Sequence, residues 1–154
     1  MRLAFLSIGR HLHTERWIRW FAQRGHDCHL LTVQPGEIQG VEVHDIRRAA
    51  PAKPLRYLRS LGVVRSILDE IEPDLLNTHF LTGYGYWGDF SGFHPNVVSV
   101  WGDDVYVTPH ENPLKNHLAR RALRNADAVT GDSLDILRSC VRLGAAPDLS
   151  LIHI

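Results

Sequence analysis

Cysteine is nearly absent from this chain of 154 residues. Only Cys28 and Cys140 occur, far apart and without metal-ligand spacing. Two such residues cannot supply a disulfide framework or a thiolate cage, and both are expected to be buried and reduced. Excess charge is lacking too: 17 basic side chains balance 17 acidic ones. No global field therefore argues for nucleic acid as a partner. Long apolar runs are missing as well. The apolar stretch from Met1 to Gly9 reaches Arg10 and His11 too soon for a secretory signal or a membrane span. The cytoplasm is the compartment this composition implies. The chain shows no repeat, low-complexity tract or internal linker. It does carry ten histidines, several of them at the ends of expected strands.

Strand and helix signals alternate regularly. Arg2–Ile8 is a compact apolar run suited to a strand buried on both faces. Thr14 to Arg24 sets Trp17, Ile18, Phe21 and Ala22 at helical spacing, with Gly25 as the stop. His29–Val33 and Val41–Ile46 read as strands. The segment from Arg47 to Arg59 is basic and interrupted by Pro51 and Pro54. Leu61, Val64, Leu68 and Ile71 then mark one face of a helix closed by Pro73. Asp74–Phe80 is the next strand. Gly83 to Phe93, rich in glycine and aromatics, suits a short helix or a folded loop. Asn96–Trp101 is a strand, Pro113 to Arg124 a helix, Ala128–Gly131 a short strand and Ser133–Leu143 a helix stopped by Gly144. This cadence predicts right-handed crossovers and one doubly wound, Rossmann-like α/β domain on a parallel sheet.

In such sheets ligands meet the loops at the carboxyl ends of strands, and the candidate residues gather there. Gly9-Arg10-His11-Leu12-His13 precedes the first helix, whose amides and dipole favour a phosphate or a sugar hydroxyl. The alternative is a solvated loop with Thr14 as the helix cap. No third ligand is spaced to join His11 and His13 at a metal. His79 ends its strand beside Thr82, Gly83 and Tyr84, where glycine lets a ligand approach the backbone. Trp101-Gly102-Asp103-Asp104 ends another strand. Adjacent carboxylates in extended chain face opposite ways, so they cannot act as a pair on one atom. One would contact an acceptor while the other caps loop amides. Tyr84, Tyr86, Trp87, Phe90 and Phe93 suit core packing ahead of sugar stacking. Arg47, Arg48, Lys53, Arg56, Arg59 and Arg65 form a run without an acidic residue. It is either a solvated basic face or a docking site for anionic lipid or a phosphorylated acceptor.

Four segments in order resemble the N-terminal domain of a family 4 glycosyltransferase of the GT-B fold. They are Arg2 to Gly9 with Arg16-Trp17-Ile18 and Arg24-Gly25-His26-Asp27; Pro73 to His79; Val98 to Asp104; and Ala126 to Thr130 with Ser133. Many relatives carry histidine where Trp101 stands, so no imidazole role carries over to that position, and Trp101 is free to stack on a sugar face. The resemblance implies hexosyl transfer from a nucleotide-sugar co-substrate to an acceptor, with retention and without a metal or other cofactor. It implies an acceptor-side role for Gly9, His11, His13, His79, Gly83, Tyr84, Trp101, Gly102, Asp103 and Asp104. Asp104 and His79 are the candidates for catalysis, Asp104 by its match to the family pattern.

In relatives a C-terminal domain grips the nucleotide. Residues 1–148 are expected to be the acceptor-side domain, and that C-terminal partner is not in this sequence. Leu149 to Ile154 match what a sequencing adapter encodes in this frame, so the native coding sequence is expected to end near Asp148. Such a half should be inactive alone and sit in the cytoplasm or at the inner face of the membrane. The competing readings are a fragment of a sugar-nucleotide epimerase of the same fold and a stand-alone module that binds carbohydrate or phosphate without catalysis.

Overall fold

The computed structural model describes residues 1–48 and 53–152. Pro51, the side chains of Lys53 and Pro54, and His153 and Ile154 of the expected adapter tail lie outside the described residues. In chain order the elements are β1 (Arg2–Leu6), α1 (Leu12–Ala22), β2 (Asp27–Thr32), β3 (Val41–Asp45), α2 (Lys53–Ile71), β4 (Leu75–His79), α3 (Tyr84–Ser91), β5 (Asn96–Ser99), α4 (Asp103–Tyr106), α5 (Pro113–Asn125), β6 (Ala128–Gly131), α6 (Leu134–Leu143) and β7 (Ser150–Ile152). The strands form one sheet in the order β3-β2-β1-β4-β5-β6-β7. The β1–β2, β2–β3, β5–β6 and β6–β7 pairs are all parallel. This is the doubly wound α/β class that the alternation predicted, with the strand order of a Rossmann-type sheet. By its contacts the chain falls into two compact units, Met1–Leu76 and Asn77–Ile154.

In the first unit, Leu3, Phe5, Ile18, Cys28, Leu30 and Ile38 form the core, with Trp17, Phe21, Val41 and Val43 packed against it. Alternate residues of β1 and β2 supply one side of that core and the apolar stripe of α1 the other. The start of β1 is tied down twice through Arg2. The Arg2 amide donates to the Asp74 carboxylate at 2.7 Å, and the Arg2 guanidinium donates to the Ile71 carbonyl at 2.6 Å. Gly25, at φ 82°, reverses the chain after α1, as its position in the sequence predicted.

In the second unit, helix starts follow capping chemistry. Asn112 accepts from the Lys115 amide at 2.9 Å ahead of Pro113, and Ser133 accepts from the Ile136 amide at 3.3 Å. Both satisfy amides that a helix leaves without partners. Gly144, at φ 118°, ends α6. The glycine- and aromatic-rich segment is a helix, α3. Gly88 lies in it because a Cβ there would meet Thr78 Cγ2 at 2.3 Å. Within the expected tail, Ser150–Ile152 pairs with β6 as strand β7.

Two expectations need correction. Thr14 does not cap α1, which begins at Leu12 after an extended His11. Thr14 is buried inside the helix, and its hydroxyl lies 2.7 Å from the Ser7 hydroxyl. Asp103 and Asp104 are not an extended strand end either, because β5 stops at Ser99 and the two carboxylates open the short helix α4. Gly102 makes that turn possible at φ 125°, a conformation closed to other residues.

Candidate functional site

The candidate residues fall in both units, and each group has its own geometry. In the first unit, Gly9 is buried and its amide donates to the Thr32 hydroxyl at 3.0 Å. A Cβ at this position would stand 2.5 Å from the Gln34 carbonyl oxygen, so only glycine lets the chain pass so closely. His11 and His13 follow, with ring centroids 5.2 Å apart, His13 exposed and His11 half-buried. The start of α1 carries no side-chain cap, so the dipole and amides there keep the polarity that favours an anion or hydroxyl.

In the second unit, His79 ends β4 with no exposed surface. Its Nε2 lies 3.0 Å from Asn77 Oδ1. Asn77 uses its Nδ2 to donate to the Val97 carbonyl and to Ser99 Oγ, and the Thr130 hydroxyl donates to Ser99 Oγ at 2.8 Å. Because Asn77 presents its oxygen, His79 holds its proton on Nε2. A chain of buried polar groups thus runs across β4, β5 and β6. Such a chain fixes ring orientation where a lone buried imidazole would cost several kcal/mol at about 2–7 per unmet polar group.

Above that chain, the Trp101 ring lies 5.6 Å from His79 and 6.0 Å from Phe80. Phe80 sits at φ 69°, a left-handed conformation that costs about 1–2 kcal/mol for such a residue. Its amide donates to the Ser99 carbonyl and its carbonyl accepts from Gly85, each at 2.9 Å. Strain held by the surrounding bonds at a strand end is a frequent mark of a ligand site.

Asp104 and Asp103 part company on α4. The Asp104 carboxylate is 5% exposed and accepts three amides: Leu81 at 2.7 Å, Trp101 at 3.0 Å and Gly102 at 2.8 Å. Burial pushes its carboxyl above the usual carboxylate range, against the pull of those amide donors. Asp104 thereby ties the loop after β4 to the loop after β5. Asp103 is exposed to solvent. Gly83, at φ 76°, precedes α3. Tyr84 is buried edge-on to Trp87 at 5.5 Å. Tyr84, Tyr86 and Trp87 are core residues, the packing that sequence favoured, whereas Phe90 and Phe93 are only half-buried. Burial pushes the Tyr86 phenol up to about 12 and the Cys28 and Cys140 thiols to about 11 and 12. Both cysteines are free and buried, hence inert thiols at neutral pH.

The basic run is less uniform than it reads. Arg47 pairs with Asp45 at 2.5 Å, and Arg48 donates to the Arg47 carbonyl at 2.6 Å. Arg56, Arg59 and Arg65 are exposed along α2, beside Leu55 and Leu58, the latter 61% exposed. No helix among the described residues is long and apolar enough to cross a membrane. Sequence reasoning passed over one group altogether: His29, Glu42 and His44, on the paired strands β2 and β3. Their signal was the alternation Glu42-Val43-His44 in a strand, which means little until the register puts His29 opposite.

Known proteins share this architecture. HepE from Anabaena, in a structure with UDP-glucose, is 17% identical and superposes with a TM-score of 0.73, covering 99% of this chain and 43% of its own. Sucrose-phosphate synthase from Thermosynechococcus elongatus is 11% identical with a TM-score of 0.77, covering 99% of this chain and 47% of its own. UDP-N-acetylglucosamine 2-epimerase from Rickettsia bellii is 10% identical with a TM-score of 0.68, over 99% and 44%. The chain therefore spans less than half the length of these structures, and at such identities they establish the fold. No curated protein sequence matches it significantly. The profile described as glycosyl transferase 4-like matches residues 2–133, most of the chain: this chain belongs to the glycosyl transferase 4-like family.

Proposed function

We propose that this chain is the acceptor-side half of a glycosyltransferase that moves a hexose from a nucleotide sugar to an acceptor, with retention and without a catalytic metal. The family match over residues 2–133 carries the reading, and HepE, with UDP-glucose in its structure, supports a nucleotide-sugar donor. In this proposal the half-buried Trp101 ring stacks on the acceptor sugar and the exposed Asp103 holds one of its hydroxyls. His79 supports the Trp101 ring from beneath, and Asp104 fixes both loops through their amides. Gly9, His11 and His13 offer helix-start amides and imidazoles to the same class of polar ligand. The 154-residue chain alone does not transfer sugar, because the donor must be held against the acceptor in near-attack geometry by a companion domain. The basic, leucine-bearing side of α2 docks the enzyme on an anionic membrane surface.

The test uses the full-length product of the reading frame with UDP- and GDP-hexoses and oligosaccharide or lipid acceptors. A retained glycosidic product, unaffected by chelator, with turnover lowered in Trp101→Ala and Asp103→Asn and melting temperature unmoved, is the expected result. Transfer by the 154-residue chain alone would overturn the two-half reading. Acceptor-independent inversion of the sugar on the nucleotide would replace transfer with epimerisation, the activity named for the Rickettsia structure.

A further inference from the structure

We propose that His29, Glu42 and His44 bind one zinc-class divalent cation, which fastens edge strand β3 to β2. This site is independent of the transferase reading and uses none of its residues. Parallel register pairs His29 with Glu42 and Leu31 with His44. Since side chains alternate along a strand, Glu42 and His44 share a face, and His29 is on that same face opposite them. The three ligand atoms lie within 4.8 Å of one another.

The spacing suits a tetrahedral ion. Zinc bonds of about 2.0–2.1 Å to nitrogen and oxygen put neighbouring ligand atoms about 3.3–3.4 Å apart. Here His29 Nδ1 lies 3.1 Å from His44 Nε2 and 3.6 Å from Glu42 Oε2, and His44 Nε2 lies 3.9 Å from Glu42 Oε1. The two Glu42 approaches run to different oxygens of one carboxylate, so a turn of that exposed side chain brings a single oxygen to both imidazoles, and a small opening of the His29–His44 pair completes the figure. The fourth position opens to solvent on the Glu42 side and takes a water.

Two features orient the ligands. His29 Nε2 faces Asp27 Oδ1 at 3.3 Å, a carboxylate behind a histidine that leaves the Nδ1 lone pair pointing at the site. The two imidazoles are stacked at 23° with centroids 5.3 Å apart, so neither can swing away without disturbing the other. Without a metal, His44 Nε2–H donates to His29 Nδ1. With one bound, the His44 proton moves to its own Nδ1, and both facing nitrogens donate lone pairs to the cation. Glu42 and, from α2, Glu70, which acts on His44, supply negative potential that favours a cation, while the Asp27 charge is shared with Arg2. Imidazole with carboxylate selects zinc and its neighbours over magnesium or calcium.

The experiment is titration of the chelator-treated chain with Zn²⁺ by calorimetry and with Co²⁺ by visible absorption, alongside four variants. Expected are one ion per chain, intense low-symmetry cobalt bands, and a melting temperature raised by about 5–10 °C at zinc a hundredfold above Kd. His44→Ala, which removes one of three protein ligands, should weaken binding by at least the roughly 10–100-fold that loss of an outer-shell partner costs. Glu42→Gln, on an exposed side chain that the fold does not need, should also weaken it. Asp27→Asn should cost about 10–100-fold, as outer-shell partners do. His11→Ala/His13→Ala, which removes the other close histidine pair, should leave binding unchanged. No saturable binding, weak octahedral cobalt bands, or affinity untouched in Glu42→Gln and His44→Ala would each overturn the proposal. Should His44→Ala fail to fold, Glu42→Gln decides alone.

Discussion

Replacing Asp104 with asparagine examines the junction on which the strand-end loops depend. In the native chain one carboxylate oxygen takes the Leu81 amide, and the other takes the amides of Trp101 and Gly102. An asparagine side chain keeps the shape but has only one acceptor. With its oxygen toward Trp101 and Gly102, its NH₂ group faces the Leu81 N–H, donor against donor. A hydrogen bond to a charged group contributes about 1.5–3 kcal/mol, and an orphaned buried donor costs about 1–3. The variant also escapes the desolvation of a buried charge, which offsets part of that loss. The net expectation is destabilisation by about 2 kcal/mol. Asp104→Ala orphans all three amides and should cost about 3–5 kcal/mol. Urea unfolding reads both, with an unchanged slope showing that the folded and unfolded states keep their exposure. Native-state hydrogen exchange adds a local readout: the Leu81 amide should lose protection before its neighbours on β4. A change below about 0.5 kcal/mol for Asp104→Asn, or a Leu81 amide as protected as before, would refute the view that this carboxylate ties the loops together.

Three further outcomes follow from other parts of the chain. Gly88→Ala should destabilise by about 1–3 kcal/mol through the contact with Thr78 Cγ2; Thr78→Ser, which removes that methyl, should restore most of it in a double-mutant cycle by urea unfolding. The Arg2 side chain donates to Asp27 and holds its carboxyl below the usual range. A depressed carboxylate gives stability that is full above its unfolded value of about 4 and fades as pH falls through the folded one. The gap between the native chain and Asp27→Asn should therefore close on acidification. Arg56→Gln/Arg59→Gln should weaken sedimentation with anionic liposomes about thirtyfold, from roughly 1 kcal/mol per charge; binding indifferent to salt or to anionic lipid would remove the membrane-docking proposal.

Much of the architecture could be read directly, because period, punctuation and caps are local properties. Gly25 and Gly144 stop helices where an L residue would be strained, and Ser133 caps α6 as its position suggested. The junction after β5 was misread for a physical reason. Asp103 and Asp104 look alike in sequence, and an extended or helical path between them hinges on Gly102 adopting φ 125°, which composition does not announce. The alternative reading, with Thr14 as a cap, failed likewise: its hydroxyl found Ser7, a partner in the bend just after β1.

The amino-acid order by itself determined the α/β class, the run of strands and helices, and the family, since these rest on periodicity and on short motifs within one element. Only the tertiary structure decided which carboxylate is sheltered and which faces water, that His79 is locked by Asn77, and that His29 meets Glu42 and His44. The sheltering of Asp104 and the meeting of His29 with Glu42 and His44 join segments distant along the chain. Even the short His79–Asn77 contact is held in place by Asn77 bonds to β5, so all of them come into being only when neighbouring segments pack.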